Sequence, residues 1–301
     1  MPLWIPIAVT AALFQSWRTA LQQKLRDLLS VNGAGFVRYL YGAPMALLLL
    51  VVALWITGAP VPEANVAFVL FCIGGGLSQI LATNLLIMSF GYRNFAVGTA
   101  YGKTETIQTA VIATIFLHEF LHPLAWVGVL IGLSGVMTLS LAGRGFKPRD
   151  LLAASVQPAA LCGLGAGFLF ACAVVFIKEA FFALPGPSLV VRTLFGVVVT
   201  NSLQILLQGA WLLWREPGQL RKAFTSWRTS MWAGTLSACG SALWATGFAL
   251  TDVALVRSVG QIELVFTLLF SRFYLRETLK RSDVGGLVLV VGGVLLIIVT
   301  H

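Results

Sequence analysis

Residues 102–119 recur 158 positions later at 260–277, with Gly102, Glu105, Thr109, Leu117 and Glu119 meeting Gly260, Glu263, Thr267, Leu275 and Glu277. Extended without a gap from Ala96/Ala254 to Val136/Val294, the offset holds 10 identities in 41 pairs, adding Leu121/Leu279, Gly128/Gly286 and Gly135/Gly293. Self-similarity at a fixed offset means two copies of one structural unit, so the fold must be one that duplication can build. Each copy sets a glutamate midway along an apolar run, where a charge is costly unless it is paired or wetted.

The first part of each copy matches at a different offset. Ala12, Phe14, Lys24, Val37, Arg38, Leu40 and Gly42 meet Ala166, Phe168, Lys178, Val191, Arg192, Leu194 and Gly196, 154 positions on. The four-residue change falls naturally in residues 215–229, which are longer and more polar than their counterpart 58–63. That segment reads as a short interfacial helix or loop, with Trp211, Trp214, Trp227 and Trp232 as headgroup anchors.

With 58% hydrophobic and only 10% charged residues, the chain lacks the charged surface of a soluble domain. Ten apolar runs are long enough to cross a hydrocarbon core as helices: 4–23, 35–57, 66–89, 95–117, 123–142, 158–181, 189–214, 230–250, 253–275 and 283–300. The expected fold is an all-α membrane protein of ten transmembrane helices, arranged as two inverted five-helix repeats. Five helices per copy reverse the second copy in the membrane. The expected domains are 1–142 and 158–301, joined by a linker at 143–157. The first run lacks a basic leader and carries Gln15 and Arg18, so it reads as a retained helix. Cys72, Cys162, Cys172 and Cys239 fall inside predicted helices and read as small buried hydrophobes.

Basic residues divide unequally between the two sides. Loops 1-2, 3-4, 5-6, 7-8 and 9-10 hold Lys24 and Arg26; Arg93; Arg144, Lys147 and Arg149; Arg215, Arg221, Lys222 and Arg228; Arg276, Lys280 and Arg281. Lys178 stands alone on the opposite side. The positive-inside rule then places those loops in the cytoplasm and both termini outside. The net charge of +9 is accounted for by that face and the anionic lipid it would attract, with no need for nucleic acid.

The candidate substrate-binding residues cluster at the centres of helices 4 and 9. At about 100° per residue, Gly102, Glu105 and Thr109 share one face of helix 4, flanked by Tyr101 and Gln108. Lys103, Thr99 and Thr106 occupy the adjoining arc. Helix 9 offers Arg257 and Gln261 on one stripe and Gly260, Glu263 and Thr267 on another. With Arg18 of helix 1, these groups could line a wet central cavity; alternatively, the glutamates pair with Lys103, Arg257 or backbone simply to hold helices together. Glu119 and Glu277, at helix ends, are expected to fix the 4-5 and 9-10 turns by bonding orphan backbone groups. The glycines Gly128, Gly132, Gly135, Gly285, Gly286, Gly292 and Gly293 are expected to allow close helix approach.

His118-Glu119-Phe120-Leu121-His122 spells the HExxH of zinc proteases. Pro123 follows at once, and the second copy replaces both histidines with Arg276 and Lys280, so solvated interfacial histidines are the better reading. The chain has no glycine-rich phosphate loop, nucleotide-binding domain or Ser-His-Asp arrangement, and no cofactor is expected. It reads as neither an enzyme nor a transporter driven by its own ATP hydrolysis.

Ten helices in two copies, with Glu105, Leu117-His118-Glu119, Gly128 and Gly135-Val136 matched by Glu263, Leu275-Arg276-Glu277, Gly286 and Gly293-Val294, resemble the EamA-like family of the drug/metabolite transporter superfamily. Residues 105–136 and 261–294 carry the likeness. It implies a secondary transporter, an exporter or exchanger of a small polar or amphipathic metabolite, acting by alternating access at a central cavity. An amino-acid-like solute is favoured because the cavity would hold both signs of charge. Many relatives have cytoplasmic termini, the reverse of what the basic residues here indicate. The alternatives are a flippase for a lipid-linked substrate and a non-transporting membrane subunit. The expected partners are a small-molecule substrate and the lipid bilayer of a bacterial inner membrane, with protons as the candidate coupling ion and a homodimer as the candidate assembly.

Overall fold

The computed structural model describes residues 2–25, 28–89, 101–141, 157–266, 269 and 281–299. Thr267, Leu275, Glu277 and Leu279 of the second copy lie outside them, as do Arg93, Arg144, Lys147, Arg149, Arg276, Lys280, His301 and nearly all of the expected linker.

The described elements are helical. In chain order they are α1 (Trp4–Leu25), α2 (Val31–Leu40), α3 (Gly42–Thr57), α4 (Val66–Ser89), α5 (Glu105–Phe116), α6 (Pro123–Leu141), α7 (Pro158–Ala183), α8 (Leu189–Arg215), α9 (Pro217–Thr225), α10 (Trp227–Leu250), α11 (Val253–Val259) and α12 (Arg281–Val299), with a 3-10 turn at Gly260–Ile262. Four spans among the described residues are long and apolar enough to cross a membrane: Val31–Thr57, Val66–Ser89, Pro158–Ala183 and Leu189–Arg215. The first of these bends at Tyr41 between α2 and α3. Pro44 explains the break, because it has no N–H for the carbonyl of Leu40 four residues back.

Many large apolar side chains point outward, Leu48, Trp55, Phe116, Leu206 and Val288 among them. Small residues fill the interior, and Ala8, Ala11, Ala12, Ala34, Ala46, Ala82, Ala110 and Ala238 are fully buried. This inversion of the soluble pattern belongs to a helical bundle in lipid, where small residues let helices approach and no water drives large ones inward.

The compact units do not follow the order of the chain. One comprises residues up to Ile80 with Ala173–Thr251, and the other Leu81–Cys172 with the residues from Asp252 onward. Each therefore takes material from both copies, and α4 and α7 each pass from one unit to the other.

In the first unit, α8 carries a stripe of buried amides, Asn201, Gln204 and Gln208. Gln204 donates to Gly76 O and Gln79 Oε1, and Gln208 donates to Asn32 O. Arg38 is buried and donates to Ser237 Oγ at 2.7 Å. Where Tyr41 and Gly42 meet α10, Gly234 leaves no room for a Cβ.

In the second unit, α6 and α12 cross through glycine. A Cβ on Gly128 would stand 2.9 Å from Gly293 O, and one on Gly135 would stand 2.7 Å from Gly286 O. These contacts are reciprocal, since the 158-residue offset turns the pair Gly128/Gly293 into Gly286/Gly135. Gly285 and Gly292 differ from expectation: among the described residues nothing lies within 4 Å of where their Cβ would be, so they mediate no close approach there.

Candidate functional site

The site residues of the second unit stand where two helices are interrupted. Helix 4 does not run unbroken through its glutamate. Residues 101–102 are helical, Lys103 and Thr104 form a turn, and α5 starts at Glu105. In the second copy, α11 gives way at Gly260 to the 3-10 turn, and helical geometry resumes at Glu263. Under the 158-residue offset the two interruptions coincide. Backbone groups freed at such a break must be bonded again or wetted, which in membrane proteins confines breaks to places buried in protein or lining a cavity.

In the first copy, side chains bond the freed groups. Thr104 donates through its N–H and its hydroxyl to Tyr101 O. Gln108 Nε2 donates to Thr104 Oγ1 at 2.8 Å and to Leu164 O on α7 at 3.4 Å. Gly167 on α7 packs directly over the break, where a Cβ would stand 3.1 Å from Glu105 N and 3.2 Å from Gly102 O. Neither Leu164 nor Gly167 was among the site residues read from sequence. The signal was available as the small-residue cluster Gly163-Leu164-Gly165-Ala166-Gly167, which invites another backbone to approach.

Two ion pairs then cross between the copies. Lys103 Nζ lies 3.0 Å from Glu263 Oε1, and Arg257 Nη1 lies 3.2 Å from Glu105 Oε1. All four side chains are largely but not wholly buried. The charges cancel within the cluster, as a low-dielectric interior requires. Each base thus meets the acid of the other copy.

The remaining polar groups differ in kind. Gln261 is only 7% exposed, and among the described residues neither its amide oxygen nor its amide nitrogen has a hydrogen-bond partner. It lies against Gly132 of α6, where a Cβ would come within 2.5 Å of its oxygen. Gln108 Oε1 and the hydroxyl of the fully buried Thr109 are likewise without partners. Buried polar atoms left open in this way cost free energy unless water or a ligand bonds them. Tyr101 is buried beside the turn. Tyr101, Lys103, Glu105, Gln108, Arg257, Gln261 and Glu263 thus all belong to the second unit, whereas Arg18, on α1, belongs to the first.

Glu119 has a more distant target than its own turn. Asp252, at the N-cap of α11, makes no capping bond through its side chain, and Glu119 Oε2 instead accepts the N–H of Val253 at 2.9 Å. A carboxylate from the end of the first copy's central helix therefore caps the start of the second copy's. This geometry also removes the zinc-site reading of HExxH. Residues 118–122 are not helical, so the histidines share no helical face, and the glutamate is engaged as a cap.

Against this geometry, the sequence pattern of the EamA-like transporter family matches residues 2–141 and again 157–299. The chain belongs to the EamA-like transporter family. It is therefore a membrane transport protein of the drug/metabolite transporter superfamily rather than an enzyme. A solved crystal structure, described only as that of a protein, superposes on this EamA-like transporter with a TM-score of 0.72, covering 97% of this chain and 94% of the other at 17% identity. That likeness is one of fold. No curated protein matches the sequence.

Proposed function

We propose that this EamA-like chain is a secondary exporter or exchanger of a small, net-neutral polar or amphipathic metabolite, with amino-acid-like solutes as the leading class. Access alternates at a central site built on Tyr101, Lys103, Glu105, Gln108, Arg257, Gln261 and Glu263. The observation that carries this reading is the pair of crossed ion pairs at matching helix breaks. A ligand bearing one charge would take one partner and strand the other, and removing one member of a buried pair costs about 3–5 kcal/mol, less at a partly wetted site. A zwitterion can exchange with both pairs and leave no charge unmatched.

The reading includes ten transmembrane helices in two inverted repeats, 1–142 and 158–301. The reciprocal Gly128/Gly293 and Gly135/Gly286 crossing supports it, because inverted copies meet through equivalent surfaces used twice. Interrupted helices near the midplane are also where transporters of this architecture hold their ligands. Protons are the proposed coupling ion, a homodimer the proposed assembly and a bacterial inner membrane the proposed location.

Counterflow in liposomes carrying the purified protein tests the substrate class. A zwitterionic amino acid should exchange at least tenfold faster than its methyl ester, a net cation, or its N-acetyl derivative, a net anion. Equal rates for all three would overturn the charge argument.

A further inference from the structure

The corner where α8, α9 and α10 meet carries features that transport does not use. Within 189–251 the only acid is Glu216, and both its carboxylate oxygens are engaged inward, one by Ser30 Oγ and the other by Asn32 Nδ2 at 3.1 Å. What remains outward is cationic: Arg215, Arg221, Lys222 and Arg228 are all exposed. Two of these cations stack on exposed indoles, Arg215 over Trp214 at 4.1 Å and Arg228 over Trp227 at 5.6 Å.

The helix that carries Arg221 and Lys222, α9, is docked along one side. Gln219 Oε1 accepts the N–H of Ser30, Tyr41 donates to Ala223 O, and Leu220 and Ala223 pack with Leu25, Leu29 and Phe36. At 100° per residue the docked positions Gln219, Leu220 and Ala223 share one arc of α9. The opposite arc carries Arg221, Lys222 and Phe224, the last of them 54% exposed. Because α8 is one of the membrane-spanning segments and only Glu216 separates it from α9, this arc sits at the bilayer boundary. The equivalent connection of the first copy, residues 58–65, has no basic residue.

We propose that α9 and its flanking tryptophans form a docking platform for an anionic lipid surface. The arginines and lysine bind phosphate headgroups, while Phe224 and the indoles enter the upper acyl region. Basic side chains beside exposed aromatic ones suit such a surface, in which each half of the array finds its own partner. A free anion would satisfy only the cations.

The test uses the full-length protein in nanodiscs with equimolar phosphatidylglycerol and phosphatidylcholine, followed by native mass spectrometry of the lipids that stay bound. Wild type should retain phosphatidylglycerol preferentially. The triple variant Arg221→Gln, Lys222→Gln, Arg228→Gln should lose that preference, about fivefold for each charge removed. Phe224→Ala should weaken retention of both lipids. Raising salt from 50 to 500 mM should weaken the wild-type preference, which makes the test independent of any variant's folding. A preference that survives the triple substitution and the salt would overturn the proposal. So would displacement of the lipid by millimolar inorganic phosphate with no effect of Phe224→Ala, the behaviour of a site for free anions.

Discussion

The two central segments, residues 101–116 of the first copy and 253–266 of the second, share a glutamate and a helix break but not a base. Under the 158-residue offset Glu105 matches Glu263, whereas Lys103 matches Gln261 and Arg257 matches Thr99. Each copy thus supplies one cation from a position where the other has a neutral polar residue, and each cation serves the other copy's acid. The glutamates keep the symmetry of the duplication, while the bases have departed from it. The breaks are also held differently. Gln108 bonds the first one, and its counterpart Phe266 cannot. Two halves that began alike have become unequal at their centre, so equivalent substitutions should have unequal effects.

The largest test addresses whether the copies are inverted at all. An odd number of crossings per copy puts the linker and the C-terminus on opposite sides of the membrane. A reporter active only outside the cytoplasm should therefore be active after His301 and silent when inserted in the linker at 143–157, as the distribution of basic residues also requires. Equal activity at both sites would mean that one copy crosses an even number of times, and the comparison between copies would lose its geometric basis. Silence at His301 with activity in the linker would keep the inversion and reverse the charge-based orientation.

Next in size are the acids. Glu105→Gln and Glu263→Gln should both leave an inserted protein whose counterflow is reduced at least tenfold, a barrier change of about 1.4 kcal/mol or more. Glu105→Gln should be the more severe, because it takes a carboxylate from Arg257, whose side chain is 14% exposed, whereas Glu263→Gln takes one from Lys103, which at 27% is better able to reach water. Adding Arg257→Gln to Glu105→Gln should restore yield and thermal stability without restoring transport, since it removes the excess positive charge but not the need for the pair. Identical losses from the two single variants would remove the asymmetry. Wild-type counterflow in both would reassign the acids to a purely structural role.

The sequence carried the duplication, the helical membrane class and the residues that meet in the second unit, because each depends on spacing or composition. It did not carry the break at Lys103 and Thr104, since nothing in an apolar run with glycines at 98 and 102 distinguishes a turn from a helix until Gly167 is seen packed over it. The sequence named Lys103 and Arg257 as partners for the glutamates, but not which base meets which acid. Side-chain reach across two helices depends on their register, which is a tertiary property. The composition of the units was equally out of reach, because α4 and α7 each belong partly to both.

Smaller effects are expected at the turn acids. Glu119→Ala deletes the cap on Val253, and losing such a cap costs about 1 kcal/mol. For a chain of this size that corresponds to roughly 1–2 °C in apparent Tm. Glu119→Gln keeps an acceptor and should cost less. If the copies remain equivalent at this point, Glu277→Ala should lower the melting temperature by a similar amount, and a Glu277 variant that melts like wild type would extend the asymmetry to the turns. A clean loss of counterflow in either variant with unchanged melting would contradict the capping role.

The smallest expected effect is also the most specific. Gly132 matches Val290 in the second copy, so the first copy alone has a bare backbone at this position, and Gln261 lies against it. A methyl group there would meet the far end of a flexible side chain. At Gly128 and Gly135, by contrast, it would meet the backbone of α12. Gly132→Ala should therefore fold and melt nearly as wild type, with Gln261 turned aside to make room. Since Gln261 offers an unbonded donor and acceptor to whatever occupies the site, displacing it should raise the half-saturation concentration for counterflow by a few-fold at unchanged maximal rate, the loss of about one neutral hydrogen bond. Gln261→Ala should reproduce that shift, and combining the two should add nothing further, because both act through the same amide. Additive shifts would place the effect of Gly132 in helix packing and leave Gln261 without a role in binding.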